Sequence, residues 1–373
     1  MHILFAGGGT AGHINPAIAV AGCLKQVDPD CKISFIGTKK GMESRLVPLA
    51  GYDFYTIDVA GFQRKITVKN MFRNVGAAFK AVTSSVASKK LLRELKPDVV
   101  VGTGGYVCGP VLREAAKLGI KTAVHEANAY PGVTIKMLAP IVDCVMIAME
   151  DAAKNVKAKN PPVITGNPIR QSLTAVTKSE AREKLGIPKD TQVVLSFGGS
   201  LGAKAINDAV LEVIKWNLKN KEFVHFHATG KNGYSDFSSR AAEIGYTEGN
   251  GNVTILEYID NMDIMLAAAD VVISRAGAMS VNELQICGKP SILIPSPYVA
   301  ENHQFHNAMS LKRINAAELI EEKDLNGDIL LKTVRSMLND KQRLEEMSRA
   351  AKSTAITDAD RKIAEIIINL AKK

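Results

Sequence analysis

The sequence predicts an α/β protein made of two doubly wound parallel-sheet domains, and three observations support this prediction. Short apolar segments alternate with helical patterns in both halves of the chain, as in parallel sheets covered by helices on both faces. A glycine turn of the form Gly-Gly-Thr/Ser-x-Gly occurs twice, at 8–12 and 198–202, 190 residues apart. At 373 residues the chain is also long enough for two domains.

The predicted elements follow this alternation from the N-terminus. In the first half, strands are expected at 2–6, 32–36, 54–58, 98–101, 121–125 and 144–147, with helices around 16–26, 42–49, 71–95, 109–118 and 132–138. In the second half, strands are expected near 193–197, 223–228, 253–256, 271–273 and 291–294.

The proline-containing stretch 160–168 is the best candidate linker between the halves. We therefore expect a first domain over 1–163 and a second over 164–353. Amphipathic helices are expected near 340–352 and 358–371, and residues 354–373 are expected to pack back onto the first domain.

Each glycine turn follows an apolar run and opens a helical pattern. This arrangement brings free backbone N–H groups and the positive end of a helix dipole together, which suits an anionic ligand. The first turn also matches the dinucleotide fingerprint Gly-x-Gly-x-x-Gly over 7–12. A nicotinamide site needs an acidic residue at the end of the second strand, and none occurs before Glu43. Lys39 and Lys40 would suit a 2′-phosphate, so an NADP-dependent oxidoreductase stays an alternative.

A third glycine cluster, 102–105, follows the strand expected at 98–101. Ligands of open parallel sheets gather at the carboxyl ends of the strands. We therefore expect His13, Gly104, Gly105 and the segment 125–128 to meet at one edge of the first sheet. A histidine and a glutamate at such an edge are candidate general bases, which here are His13 and Glu126. The alternative for His13 is a helix-capping or otherwise satisfied polar group.

The composition is that of an ordinary globular protein, with 46% hydrophobic and 23% charged residues. No apolar run approaches the 18 residues of a membrane span, and neither a signal peptide nor a cysteine metal motif is expected. The five scattered cysteines are typical of reduced thiols in a cytoplasmic protein.

The net charge of +9 is concentrated in one segment. Residues 61–96 contain nine basic residues and one acidic residue, and apolar side chains recur there at helical spacing. A basic amphipathic helix of this kind is typical of a membrane-surface element. The alternative is a core helix with a solvated outer face. The expected membrane-contacting residues are Lys69, Phe72, Arg73, Phe79 and Lys80. Nucleic acid is not an expected partner, because aromatic platforms and recognised modules are missing.

Seven motifs in order along the chain resemble one family. They are Gly-Gly-Thr-Ala-Gly-His at 8–13, Gly-Thr-Gly-Gly-Tyr at 102–106, His-Glu-Ala-Asn at 125–128, Gly-Asn-Pro-Ile-Arg at 166–170, Gly-Gly-Ser-Leu-Gly-Ala at 198–203, the run 275–283, and Glu-Asn-His-Gln with Asn307 at 301–307. The chain resembles the MurG family, the undecaprenyl-diphospho-muramoylpentapeptide β-N-acetylglucosaminyltransferases of glycosyltransferase family 28. Ala11 and Ala127 depart from residues common in the family, and neither is an expected contact residue.

The resemblance implies the GT-B fold, in which two Rossmann-like domains face each other across a cleft. It implies UDP-N-acetylglucosamine as the donor, held mainly by the second domain. The residues then expected to bind the donor are Thr10, Gly12, Asn128, Arg170, Ser200, Ile259, Glu283, His303, Gln304 and Asn307. Ser200 and Arg170 would hold the diphosphate, the Ile259 backbone would pair with uracil, and Glu283 would bind the ribose. An alternative for Glu283 is a helix capping box that begins at Ser280.

The implied reaction is an inverting transfer of N-acetylglucosamine to undecaprenyl-diphospho-MurNAc-pentapeptide, with no cofactor and no metal. Gly104, Gly105 and Tyr106 are expected on the acceptor side. The implied location is the cytoplasmic face of the membrane, as a peripheral protein. A UDP-N-acetylglucosamine 2-epimerase, another glycolipid glycosyltransferase of this fold and a non-catalytic nucleotide-sugar binder remain alternatives.

Overall fold

The computed structural model describes residues 1–59, 83–169, 171–249 and 251–372, and for Ala11 and Gln171 the backbone alone. The chain forms two compact units, Met1–Ile169 with Ile356–Lys373, and Arg170–Ala355. The first contains a seven-stranded sheet and the second a six-stranded sheet. All strand pairs of both sheets are parallel. The predicted α/β fold class is confirmed.

The sheet of the first unit has the strand order β3-β2-β1-β4-β5-β6-β7. Its strands are β1 (His2–Gly7), β2 (Lys32–Gly37), β3 (Asp53–Thr56), β4 (Val99–Gly104), β5 (Lys121–Glu126), β6 (Cys144–Ile147) and β7 (Val163–Ile164). The helices between them are α1 (Ala11–Val27), α2 (Glu43–Leu49), α3 (83–95), α4 (Cys108–Lys117) and α5 (Val133–Leu138).

The sheet of the second unit has the order β10-β9-β8-β11-β12-β13. Its strands are β8 (Val193–Phe197), β9 (Val224–Ala228), β10 (Val253–Leu256), β11 (Val271–Ser274), β12 (Ser291–Leu293) and β13 (Ala317–Leu319). Its helices are α6 (Lys178–Lys184), α7 (Lys204–Asn220), α8 (Tyr234–Glu243), α9 (Met262–Ala268), α10 (Ala278–Cys287), α11 (His303–Arg313), α12 (Gly327–Leu338) and α13 (Lys341–Ser353).

In each sheet the first three strands are added toward one edge, and the strands that follow are added toward the other edge. The reversal lies between β1 and β4 in the first sheet and between β8 and β11 in the second. Helices that follow such neighbouring strands lie on opposite faces of the sheet, which leaves a crevice at the carboxyl ends of the two strands. Three of the motif turns follow β1, β4 and β8, so they lie at these crevices.

The last helix, α14 (Ala359–Ala371), is part of the first unit, whereas α13 belongs to the second. Ile363, Ala364 and Ile367 of α14 are buried in the same core cluster as residues of α1. Gly166, at φ +77°, leaves no room for a Cβ beside Ile356, so the segments by which the chain leaves and re-enters the first unit lie side by side. No helix within the described ranges has the length and apolar character needed to cross a membrane.

Candidate active site

The first glycine turn joins β1 to α1. Gly9 has φ +88°, and Gly9, Thr10 and Gly12 are exposed. Thr10 is the N-cap residue of α1 in extended conformation, and its side chain makes no capping hydrogen bond. The first amides of α1 are therefore not capped by the residue that usually caps them, which leaves them available to a ligand.

Gly104 and Gly105 place the third glycine cluster against this first turn. A Cβ on Gly104 would lie 2.5 Å from Nδ1 of His13, so the imidazole packs directly against the Gly104 backbone. A Cβ on Gly105 would overlap the carbonyl oxygen of Gly8. Both glycines have positive φ, +109° and +85°. The structure thus brings His13, Gly104 and Gly105 together at the carboxyl ends of β1 and β4.

His13 occupies an environment that favours a neutral imidazole. Burial lowers its pKa below 6.5, and a hydrogen bond to the Thr103 backbone acts in the opposite direction without reversing the shift. A histidine that is neutral at pH 7 can accept a proton, which is the property of a general base. Tyr106, which follows the third glycine cluster, is 61% exposed.

Glu126 lies at the end of β5 and is 4% exposed. One carboxylate oxygen accepts hydrogen bonds from the Asn128 backbone and side-chain amides at 2.9 Å, and the other accepts one from the Gly132 N–H at 2.8 Å. Burial raises the pKa of Glu126, and these hydrogen bonds oppose that shift. Glu126 therefore holds the loop that carries Asn128, and both of its oxygens are already used as acceptors.

Glu43, which comes too late in the sequence to serve a dinucleotide site, contacts the first glycine turn. In the structure it is 1% exposed and lies beneath the first glycine turn, where its Oε2 accepts a hydrogen bond from the Gly9 N–H at 3.1 Å. The signal for this packing in the sequence is the glycines at 8, 37 and 41, each of which leaves space for the Glu43 side chain.

The second glycine turn joins β8 to α7. Gly199 and Gly202 have φ +92° and +84°, and Ser200 between them is exposed. A Cβ on Gly202 would overlap the carbonyl oxygen of Thr229, so the backbone of the turn packs directly against the residue that follows β9. Ala203 is the N-cap of α7 and has no side-chain acceptor. Among the described residues no carboxylate accepts a hydrogen bond from this turn, in contrast to the first turn.

The segment between β11 and α10 lies beside the second turn, because β11 pairs with β8. Its conformation is held by Asn307, whose side-chain amide donates a hydrogen bond to the Ala276 carbonyl at 3.1 Å. Asn307 is fully buried. Its side-chain amide therefore supports this turn, and its expected contact with the sugar hydroxyls stays a prediction.

Glu283 lies in the middle of α10 and is partly buried. Helix α10 begins at Ala278 with Gly277 as its N-cap, so Ser280 is inside the first turn of the helix. The capping-box alternative for Glu283 is therefore wrong.

The start of α11 carries His303 and Gln304. The two residues before it, Glu301 and Asn302, both have φ +51°, a left-handed conformation that is costly for residues other than glycine. Gln304 Oε1 accepts a hydrogen bond from the Ser296 N–H at 2.9 Å. Ile259 lies between β10 and α9 with its side chain buried, and its backbone N–H and C=O make no hydrogen bond with another described residue.

Arg170 lies outside the described residues, as do all five expected membrane-contacting residues, Lys69, Phe72, Arg73, Phe79 and Lys80. Of the basic segment, the structure describes α3 and the residues that follow it. Lys89, Lys90, Arg93 and Lys96 are exposed there, and Val86 is exposed beside them.

Family models match both units. The glycosyltransferase family 28 N-terminal domain matches residues 3–147, and the family 28 C-terminal domain matches residues 193–363. A relative from Acetivibrio thermocellus is 46% identical over 373 residues, covering 100% of this chain and 99% of the relative. That relative is described as a UDP-N-acetylglucosamine–N-acetylmuramyl-(pentapeptide) pyrophosphoryl-undecaprenol N-acetylglucosamine transferase.

Solved structures are similar over the whole chain. MurG from Acinetobacter baumannii has 28% sequence identity and a TM-score of 0.80, with 99% of each chain covered. A UDP-GlcNAc 2-epimerase from Neisseria meningitidis, bound to UDP-GlcNAc, has 15% identity and a TM-score of 0.66, with 99% of this chain and 100% of that chain covered. The second similarity shows the shared fold alone.

Proposed function

This chain belongs to glycosyltransferase family 28, and we propose that it transfers N-acetylglucosamine from UDP-N-acetylglucosamine to undecaprenyl-diphospho-MurNAc-pentapeptide, the lipid-linked precursor of peptidoglycan. The observation that carries this proposal is the 46% identity over the full chain to a relative described as that transferase. The motif resemblance in the sequence agrees with it.

The donor diphosphate is proposed to bind at the second glycine turn. The exposed Ser200 hydroxyl and the uncapped first amides of α7 support this assignment, because N–H groups at a helix N-terminus favour phosphate oxygens. Arg170 is proposed to add a charged fork to the same diphosphate. The backbone groups of Ile259, which make no hydrogen bond with another described residue, suit uracil, and Glu283 is proposed to accept hydrogen bonds from the ribose hydroxyls.

The sugar is proposed to be contacted by His303 and Gln304, and by Thr10, Gly12 and Asn128 of the first unit. Asn307, whose amide supports the turn beside the donor, is also proposed to contact the sugar. On the acceptor side, Gly104, Gly105 and Tyr106 are proposed to bind the lipid-linked substrate.

The proposed chemistry is a single displacement at the anomeric carbon. The C4 hydroxyl of N-acetylmuramic acid attacks this carbon and gives its proton to His13, while the bond from the anomeric carbon to the diphosphate oxygen breaks. Since attack and departure occur on opposite faces, the configuration inverts, through a transition state with oxocarbenium character. Negative charge develops on the leaving UDP, where fixed N–H donors of the second turn stabilise it. Glu126 is the reserve base, and its hydrogen bonds favour a positioning role.

The proposed location is the cytoplasmic face of the cell membrane, as a peripheral protein attracted to anionic lipid. Support comes from the polyprenyl-linked acceptor and from the exposed basic side chains of α3, including Lys89, Lys90 and Arg93. Liposome sedimentation checks this proposal: binding to anionic vesicles should exceed binding to neutral vesicles and fall as salt is raised. Equal binding to both kinds of vesicle would contradict it.

A single assay tests the transfer itself. The protein is incubated with labelled UDP-N-acetylglucosamine, with and without the lipid-linked muramoylpentapeptide. We expect label in the lipid product only when the acceptor is present. Epimerised nucleotide sugar without acceptor would support the 2-epimerase, transfer to a different glycolipid would support another glycosyltransferase, and bound but unchanged donor would support a binding protein.

A further inference from the structure

The first glycine turn is built around a buried carboxylate to which the proposed chemistry gives no role. Glu43 is the first residue of α2. Besides the Gly9 N–H on Oε2, its Oε1 accepts hydrogen bonds from the Thr38 N–H at 2.9 Å and from the Thr38 hydroxyl at 2.7 Å. Three donors from two separate loops therefore converge on one side chain.

Three glycines leave the space that this side chain occupies. A Cβ on Gly8 would lie 2.5 Å from Oε1 of Glu43, and a Cβ on Gly37 or on Gly41 would also overlap Glu43. These glycines come from the first turn, from the end of β2 and from the loop before α2. The packing therefore closes all three segments onto one carboxylate.

The carboxylate is ionised at neutral pH. Burial alone would raise the pKa of Glu43, but the hydrogen bonds from Thr38 and Gly9 outweigh burial and hold this pKa below its usual value. The Gly9 N–H thus already donates to an internal anion. For that reason Gly9 does not offer its N–H to a phosphate, although the turn matches a dinucleotide fingerprint.

We propose that Glu43 is a positioning residue for sugar transfer, which fixes the first glycine turn so that Thr10 faces the transferred sugar and His13 faces the acceptor hydroxyl. The inference rests on the proposed function. The link is short, because Gly9 precedes Thr10, the N-cap of α1, and His13 lies in the first turn of that helix. The proposed effect is geometric, since it runs through the Gly9 N–H that Glu43 holds.

The substitution Glu43→Gln tests this role with little change in volume. A glutamine has one acceptor oxygen and one NH₂ group. If its oxygen accepts from Thr38, its NH₂ group faces the Gly9 N–H, and in the opposite orientation it faces the Thr38 N–H. We expect kcat to fall about tenfold or more, since small displacements of catalytic groups are costly. The affinity for UDP should stay within about twofold of wild type, because the uracil, ribose and diphosphate are proposed to bind the second unit.

The acid limb of the pH profile should also be kept in Glu43→Gln, since His13 remains the base. A matched control is Glu114→Gln in the same unit. Glu114 is 5% exposed and accepts hydrogen bonds from the Ser85 hydroxyl at 2.6 Å and from Lys117 at 2.7 Å, away from the glycine turns. We expect this control to lower thermal stability and to leave kcat unchanged.

Amide hydrogen exchange over residues 7–14 provides a readout that does not depend on activity. Exchange should become faster in Glu43→Gln and stay at the wild-type rate in Glu114→Gln. A wild-type kcat in Glu43→Gln, or equal losses of kcat in the two variants, would overturn the inference. If the wild-type protein transfers no sugar, the proposed function fails, and unchanged exchange in Glu43→Gln would then overturn the positioning role separately.

Discussion

At the residue scale, two buried carboxylates of the first unit share one arrangement. Glu43 and Glu126 each accept several hydrogen bonds from neighbouring loops, and each holds a segment that carries a proposed contact residue. The sequence made Glu126 a candidate base because it comes directly after the strand predicted at 121–125. The sequence could not reveal that its oxygens are occupied, since that depends on how the loop at 127–132 folds back.

His13 is the residue on which the proposed proton transfer depends. Replacing it by alanine should lower kcat by about 100-fold or more, the usual contribution of a general base. Since burial lowers the pKa of His13, the wild-type kcat should fall with decreasing pH only below pH 6.5, as the imidazole becomes protonated and can no longer accept a proton.

This acid limb should be absent from the residual activity of His13→Ala. Steady-state kinetics across pH check both points, with thermal unfolding as the control for folding. Near-normal turnover with an unchanged pH profile would remove His13 from the role of base.

At the element scale, the periodicity of the sequence located the strands well. The strand predicted at 253–256 is β10 as observed, and the strand predicted at 144–147 is β6. Two short strands, β7 and β13, were not predicted. Segments of two or three residues have no alternation to detect, and they become strands only because a neighbouring strand pairs with them.

The two glycine turns look alike in sequence and differ in what lies beneath them. Only the first has a described carboxylate among its hydrogen-bond partners, and that carboxylate comes from a residue 34 positions away from Gly9. The strand–turn–helix pattern suits both turns to an anion, and the family resemblance assigned the donor diphosphate to the second. A contact between distant parts of the chain distinguishes the two turns.

The second turn gives a prediction at this scale. In Gly202→Ala a Cβ would overlap the Thr229 carbonyl oxygen, so the turn must move and its N–H groups lose their alignment. We expect the affinity for UDP to fall about tenfold or more, the value of a hydrogen bond to a charged group. Isothermal titration with UDP measures this change.

Gly245→Ala is the matched control for Gly202→Ala. Gly245 lies in the second unit at φ +91°, and a Cβ there would meet no atom within 4 Å. Both variants carry the backbone strain of a positive φ, about 1–2 kcal/mol, but only one displaces the turn. An unchanged UDP affinity in Gly202→Ala, or an equal loss in Gly245→Ala, would contradict the assignment of the diphosphate to this turn.

At the scale of the whole molecule, the first unit is made of two segments of the chain, and the second unit lies between them in the sequence. The segment Ile356–Lys373 returns to the first unit, where α14 packs beside α1. Amphipathic periodicity predicted a helix here. Periodicity alone gives both α13 and α14 an apolar face, and the sequence analysis expected the second of them, within 354–373, to pack onto the first domain.

The full-length relatives of family 28 contain both units, so the proposed transfer is an activity of the whole chain. The central claim about this transfer is that it inverts the configuration at the anomeric carbon. The most direct measurement is nuclear magnetic resonance of the disaccharide made from UDP-N-acetylglucosamine and lipid-linked muramoylpentapeptide. The donor carries an α-linked sugar, so a single displacement must give a β linkage to the C4 oxygen of N-acetylmuramic acid. A β-(1→4) product is the predicted result. An α-linked product, or no transfer to this acceptor, would contradict the account.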